Sequence, residues 1–196
     1  MAKEPTEELR LFVACELPDD VRQALGRLQD DLRRLGASRL RWVRPEGIHV
    51  TLKFLGAVEA SRVEKITSAL AAAVEPFELR LRPAEVGGFG GARLRVVWVG
   101  LEGDIEALAS LAKRVDRALR PLGFPREGRP FAAHLTLARV PDLVPSEERQ
   151  QLAGLIERYR PPPLPSMILR EVYLMRSILG PGGSVYQRLA SFPREA

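Results

Sequence analysis

His49-Val50-Thr51-Leu52 and His134-Leu135-Thr136-Leu137 are two copies of one four-residue pattern, and they contain the only two histidines of the 196-residue chain. Threonine occurs only four times in the sequence, so a threonine two positions after each histidine is a specific signal. Side chains alternate across a β-strand, so each histidine shares one face with its threonine, and the apolar residues between them can be buried behind. Each motif therefore predicts a strand that packs on the core and presents a polar pair to a groove.

The pattern of apolar residues outside the motifs predicts a mixed order of strands and helices, which favours an α+β fold. One motif lies in each half of the chain, which we interpret as a weak internal duplication. Two lobes would each give one strand to a shared cleft, although the sequence alone leaves open that the motifs lie on remote surfaces. The predicted strands are 9–16, 40–44, 77–82, 94–101, 133–140, 167–176 and 184–192 with the first motif strand, and the predicted helices are 18–35, 60–74, 102–120 and 145–158.

Composition limits the classes of protein. The net charge is +5, and arginine supplies 26 of the 30 basic residues. Arginine suits phosphate, so the balance favours a polyanion such as RNA, but a compositional bias toward arginine explains it equally well. The single cysteine excludes an intrachain disulfide and a cysteine-based zinc site. The polar N-terminus and the lack of an apolar run of about 20 residues predict a cytoplasmic protein without a membrane span.

Two imidazoles that converge on one pocket could act as an acid/base pair on a phosphodiester. A neutral imidazole can take a proton from the attacking group, and a protonated one can give a proton to the departing oxygen on the opposite side of phosphorus. Thr51 and Thr136 would orient the phosphate oxygens. The alternatives are two ordinary structural histidines or a metal site, but neither motif carries a carboxylate on its reactive face.

Further residues near the motifs are weaker candidates for substrate binding. Strand alternation predicts Lys53 on the His49 face, where it could neutralise phosphate or be a solvated lysine. It predicts Phe54, together with Trp42, in the core. Arg139 falls on the opposite alternation from His134, so it would point away unless a β-bulge turns it. Tyr186 could contact a base or phosphate, or belong to the core.

At these residues the chain resembles the 2H phosphoesterase superfamily, and most of all its RNA 2′,3′-cyclic phosphodiesterase (2′-5′ RNA ligase) family. The two motif blocks carry the resemblance, and they extend through 41–56 and 131–139. The beginning of the chain, 11–18, is also similar to that family. A weaker similarity covers a C-terminal hairpin with Leu174, Ser177, Leu179, Pro181, Gly182 and Tyr186.

The resemblance implies one bilobal domain over residues 1–196, with two antiparallel sheets in pseudo-two-fold symmetry around a central cleft and helices outside. It implies hydrolysis of RNA 2′,3′-cyclic phosphate ends to 2′-phosphates, with no cofactor and no metal, by a monomer. It also implies that His49 is the proton donor and His134 the proton acceptor, while Thr51 and Thr136 hold phosphate oxygens. The near-identical motifs cannot by themselves decide which histidine is the acid.

Two other functions remain open from the sequence. The same site could perform 2′-5′ ligation or cleave 2′-5′ linkages, because both reactions are displacements at a phosphodiester. A non-catalytic RNA-binding module could also use a basic cleft, and it would bind RNA in a salt-dependent manner without forming product.

Overall fold

The computed structural model describes residues 7–180 and 183–193. Within these ranges the chain forms nine strands and four α-helices. In chain order they are β1 (Glu8–Glu16), α1 (Asp19–Leu32), β2 (Arg41–Trp42), β3 (His49–Glu59), α2 (Val63–Ala73), β4 (Leu79–Phe89), β5 (Val96–Gly103), α3 (Ile105–Leu119), β6 (His134–Arg139), α4 (Ser146–Arg158), β7 (Met167–Leu169), β8 (Val172–Gly180) and β9 (Gly183–Phe192).

The strands form one antiparallel sheet in the order β7-β4-β5-β6-β3-β1-β8-β9, with β2 paired to β6. The order divides into two four-stranded halves, each with a motif strand at its inner edge. The halves join where β3 and β6 pair through Val50 and Leu135. The predicted α+β class with antiparallel strands is confirmed, and the two sheets are continuous through this short central pairing.

The helices cover the face of the sheet opposite the motif histidines. Val50 and Leu135 are fully buried there, in one core cluster with apolar residues of all four helices. Gln29 of α1 is buried beneath the centre, and its amide donates hydrogen bonds to the carbonyl oxygens of Val43 and Leu137, at 2.8 and 3.1 Å. This packing leaves the other face of the central strands free to form a cleft.

Two strand predictions differ from the structure. The stretch predicted as one strand, 167–176, is two strands: β7 pairs with β4 in one half, and β8 pairs with β1 in the other. The chain therefore crosses between the halves at Arg170 and Glu171, the charged pair that divides the predicted strand. The strand predicted over 77–82 continues to Phe89 through two glycines. None of the helices in the described ranges combines the length and the hydropathy that crossing a bilayer requires.

Candidate active site

The central pairing of β3 with β6 brings the two motifs together. With Val50 opposite Leu135, one further step of antiparallel register places His49 opposite Thr136 and Thr51 opposite His134. All four polar residues then lie on the face away from the buried Val50 and Leu135. Diagonal neighbours in such a pairing are about 7–8 Å apart, so the imidazoles flank a space of phosphate size. The structure therefore brings together the four residues that the sequence motifs predict.

Both imidazoles are held in the same orientation by the backbone. Nδ1 of His49 lies 2.8 Å from the Gly47 carbonyl oxygen, and Nδ1 of His134 lies 2.7 Å from the Ala132 carbonyl oxygen. A carbonyl oxygen only accepts, so each Nδ1 carries the hydrogen and donates it. Nε2 of each ring is then the nitrogen that can take up or give a proton. In both motifs the accepting carbonyl belongs to the residue two positions before the histidine, so the two halves hold their imidazoles by the same contact.

The two histidines nevertheless have different surroundings. The His49 ring stacks on Phe12, with centroids 4.8 Å apart, and meets Tyr186 edge-on at 5.2 Å. Burial lowers the pKa of His49 below its ordinary value, against the Gly47 hydrogen bond and the Glu16 carboxylate, which raise it, and with the His134 charge, which lowers it further. His134 is edge-on to the half-exposed Phe89 at 5.0 Å. The His49 side of the centre is therefore the more enclosed one.

A β-bulge in β3 reverses the alternation after the first motif. Ala14 of β1 lies opposite Thr51, and its neighbour Val13 lies opposite Lys53. Leu52 has no partner on β1 and is therefore an extra residue on β3. Leu52 and Lys53 are consequently both buried on the core side. The alternation that the sequence suggests holds from His49 through Leu52 and fails at Lys53.

The bulge makes the prediction of Lys53 on the His49 face wrong. Its side chain is only 3% exposed, and Nζ donates to Asp116 Oδ1 at 2.7 Å and to the Pro125 carbonyl oxygen at 2.8 Å. Burial alone would raise the pKa of the Asp116 carboxyl, but hydrogen bonds from Lys53, Arg120 and the Glu127 amide lower it to about 2. Lys53 therefore belongs to a buried ion pair that anchors the loop before the second motif.

The prediction of Phe54 in the core is wrong for the same reason. After the bulge its ring faces the cleft and is 66% exposed. It lies beside Phe12, with ring centroids 6.2 Å apart. Trp42 is the other aromatic residue predicted in the core, and it is partly buried against the core cluster, as expected. Strand alternation conceals this exposed aromatic ring in the cleft, on which a planar group can stack.

A matching bulge lies in β6. The pairing of β6 with β5 skips Leu137, so that residue and Ala138 are both fully buried. Arg139 is thereby turned to the cleft side, the side of Thr136, and it is exposed. The two bulges occupy equivalent positions in the two halves. Counted from the motif histidine, the buried Lys53 corresponds to the buried Ala138, and the cleft residue Phe54 corresponds to Arg139.

The cleft contains a cavity with a volume of about 550 Å³. The predicted site residues that line it are His49, Thr51, Thr136, Arg139 and Tyr186. The cavity is also lined by Phe12, Phe54 and Arg10, which the sequence motifs do not predict in the site. Arg10 is the one charged residue that interrupts the apolar run of β1. His134 does not line this cavity, and its hydrogen bond to the Ala132 carbonyl oxygen is exposed, so it lies on the more open side of the centre.

The predicted C-terminal hairpin contributes to the same wall. Ser177 of β8 lies opposite Tyr186 of β9, and both line the cavity together with Leu179. Leu174 is instead fully buried in the core. Pro181 and Gly182 lie outside the described residues. Across 7–180 and 183–193, no group of three or more His, Cys, Asp or Glu side chains is arranged to hold a metal ion.

Comparison with known proteins shows the family to which the chain belongs. The sequence matches the family model described as LigT-like phosphoesterase twice, over residues 16–98 and 99–186, so each half carries one motif. The chain is 35% identical to the RNA 2′,3′-cyclic phosphodiesterase of Methanothermobacter thermautotrophicus, over 94% of this chain and 98% of that protein. It is 33% identical to the enzyme of the same name from Archaeoglobus fulgidus, over 94% and 99% of the two chains.

Solved structures show the same fold. The crystal structure of Escherichia coli LigT complexed with 3′-AMP superimposes with a TM-score of 0.76 and 27% sequence identity, over 95% of this chain and 98% of that one. The fold, the duplicated motifs and the sequence matches confirm the resemblance stated from the sequence: the chain belongs to the LigT-like phosphoesterase family of 2H phosphoesterases, and it is an enzyme of that class.

Proposed function

We propose that the protein hydrolyses RNA 2′,3′-cyclic phosphate ends to 2′-phosphates by metal-independent acid/base catalysis with His49 and His134. The observation that carries the proposal is the pairing of Val50 with Leu135, which sets two backbone-oriented imidazoles diagonally across one centre. The relatives named RNA 2′,3′-cyclic phosphodiesterase support the same activity.

The reaction is an in-line displacement at phosphorus. Nε2 of neutral His134 takes a proton from water as the water oxygen bonds to phosphorus. The bond between phosphorus and O3′ breaks, and protonated His49 gives its Nε2 proton to O3′. The hydroxyls of Thr51 and Thr136 donate to the non-bridging oxygens, where negative charge is held in the transition state. The product is a 2′-phosphomonoester with a free 3′-hydroxyl.

The shape of the cleft supports this assignment of acid and base. The departing O3′ remains part of the ribose, so the acid must lie on the side where the nucleoside binds. His49 lines the enclosed cavity together with Phe54, whose exposed ring can stack on the terminal base. His134 faces the open side, from which water can enter. The nucleoside therefore lies toward His49 and the attacking water toward His134.

The open side also favours one second reaction at the same centre. Phe89 beside His134 is 39% exposed, so a nucleotide could lie there and present its 5′-hydroxyl in place of water. Attack by that hydroxyl would form a 2′-5′ linkage, and the reverse reaction would cleave one. This activity uses the same histidines in the same roles.

The test is the product formed from an oligonucleotide that ends in a 2′,3′-cyclic phosphate, incubated with and without EDTA. We expect a 2′-phosphate, identified by 31P NMR, at the same rate in both samples. Addition of an oligonucleotide with a free 5′-hydroxyl measures ligation separately. A 3′-phosphate product, loss of activity with EDTA, or salt-dependent binding without turnover would contradict the proposal. His134→Ala, purified in the same way, controls for contaminating nuclease.

A further inference from the structure

Two arginines lie directly opposite each other at the edge of the cleft. Arg41 of β2 pairs in register with Arg139 of β6. Like charges directly opposite each other in a sheet repel, so an anion between the two groups would be favourable. Within the described part of the chain, neither guanidinium has a hydrogen-bond or carboxylate partner, whereas Arg39, two residues earlier, reaches Glu148 at 2.7 Å. The arrangement therefore favours an anion that the folded chain does not supply.

Both guanidinium groups are on the cleft side of the sheet. Trp42, between Arg41 and Val43, turns to the helix side, where its indole donates to the Ala37 carbonyl oxygen at 3.2 Å. Val43 lines the cavity, and alternation along β2 places Arg41 on the same face. Arg139 lines the cavity itself, and both arginine residues are exposed. An anion in the cleft can reach both groups at once.

The arginine pair lies a short distance from the catalytic centre along β6. Arg139 is three residues beyond Thr136, which at about 3.3 Å per residue is at most about 10 Å along the strand. This span is on the scale of one nucleotide. A phosphate bound between the histidines and a second phosphate at the arginine pair would therefore be neighbours in one RNA strand. Guanidinium groups suit this role, because their fork of N–H donors matches phosphate oxygens.

We propose that Arg41 and Arg139 bind the phosphodiester on the 5′ side of the terminal nucleotide, so that the enzyme selects RNA ends over cyclic mononucleotides. The inference rests on the proposed function, because it concerns the same substrate one nucleotide away from the reacting phosphorus. A cyclic mononucleotide fills the centre but leaves the arginine pair without its anion.

The experiment compares kcat/KM for three substrates that share one terminal cyclic nucleotide. They are the mononucleotide, the dinucleotide with a natural linkage, and the dinucleotide with an uncharged methylphosphonate at that linkage. We expect the natural dinucleotide to exceed the mononucleotide by about tenfold or more, which is the scale of charge-assisted hydrogen bonds to one phosphate. The methylphosphonate should lose that advantage.

The variant Arg41→Gln should reduce the ratio of natural to methylphosphonate dinucleotide by about tenfold. Arg114→Gln, which removes the same charge from an exposed position on α3, should leave the ratio at its wild-type value. Equal kcat/KM for the two dinucleotides in the wild type, or an unchanged ratio in Arg41→Gln, would overturn this inference alone. If the wild type hydrolyses none of the three substrates, the proposed function is overturned, and this inference with it.

Discussion

Replacement of Lys53 by methionine should destabilise the protein through the buried ion pair. Removal of one partner from a buried pair costs about 3–5 kcal/mol, because the other charge is left uncompensated. Arg120 still donates to Asp116 Oδ2, at 3.0 Å from Nε and 2.6 Å from its terminal nitrogen, which favours the lower end of that range. The Pro125 carbonyl oxygen also loses its donor. We therefore expect a loss of about 3 kcal/mol in the free energy of unfolding.

The measurement is urea denaturation of the wild type, Lys53→Met, Asp116→Asn and the double variant. The loss in the free energy of unfolding of the double variant should be about 2 kcal/mol smaller than the sum of the losses in the two single variants, because the double variant leaves neither charge of the pair uncompensated. Lys65→Met, an exposed lysine on α2, is the matched control and should change the free energy by less than about 0.5 kcal/mol. A Lys53→Met variant with wild-type stability and a raised KM would contradict the structural role of the ion pair, because that pattern is expected of a lysine that binds the substrate phosphate.

Three further predictions concern the cleft and the pH dependence. Phe54→Ala should raise KM for a cyclic-ended dinucleotide by about tenfold while the free energy of unfolding changes by less than about 0.5 kcal/mol, because an exposed ring is lost from the base contact and not from the core; an unchanged KM would speak against stacking. Glu16→Gln should lower the pKa of His49 further in an NMR titration, since the carboxylate raises that pKa; a higher pKa would contradict the assigned charge effect. The pKa of Asp116 in the folded state, about 2, lies below the ordinary 3.8, so its ionisation stabilises the fold above about pH 4 by about 2 kcal/mol. That stability should disappear as the pH falls toward 2, measured as the difference from Asp116→Asn, and a constant difference would refute it.

The sequence predicts the catalytic pair because its signal is local and repeated. Each histidine-threonine pair spans three residues, and strand alternation is reliable over that distance. The convergence of the pairs follows from one central contact, Val50 with Leu135, which the duplicated motif suggests but cannot demonstrate. Two short motifs with the same chemistry therefore allow the site residues to be predicted from the sequence even though the strand pairing of the sheet cannot be.

The errors arise one residue beyond the motifs, at the two bulges. A bulge depends on how neighbouring strands twist and pair, and residues such as Leu52 and Leu137 carry no local mark of it. Its effect is to exchange the faces: Lys53 enters the core, and Phe54 enters the cleft. The crossing from β7 to β8 at Arg170 and Glu171 is not evident from the sequence for a related reason, because two neighbouring apolar segments do not reveal that each pairs with a different half of the sheet.

The most direct test of the whole account is kcat/KM for His49→Ala, His134→Ala and the double variant on a cyclic-ended oligonucleotide. An acid and a base that act on opposite sides of one phosphorus form a unit, so each single replacement should cost about 10³-fold or more and the double replacement little beyond that. Wild-type turnover in either folded single variant, or losses that multiply in the double variant, would contradict the claim that both imidazoles serve one reacting centre.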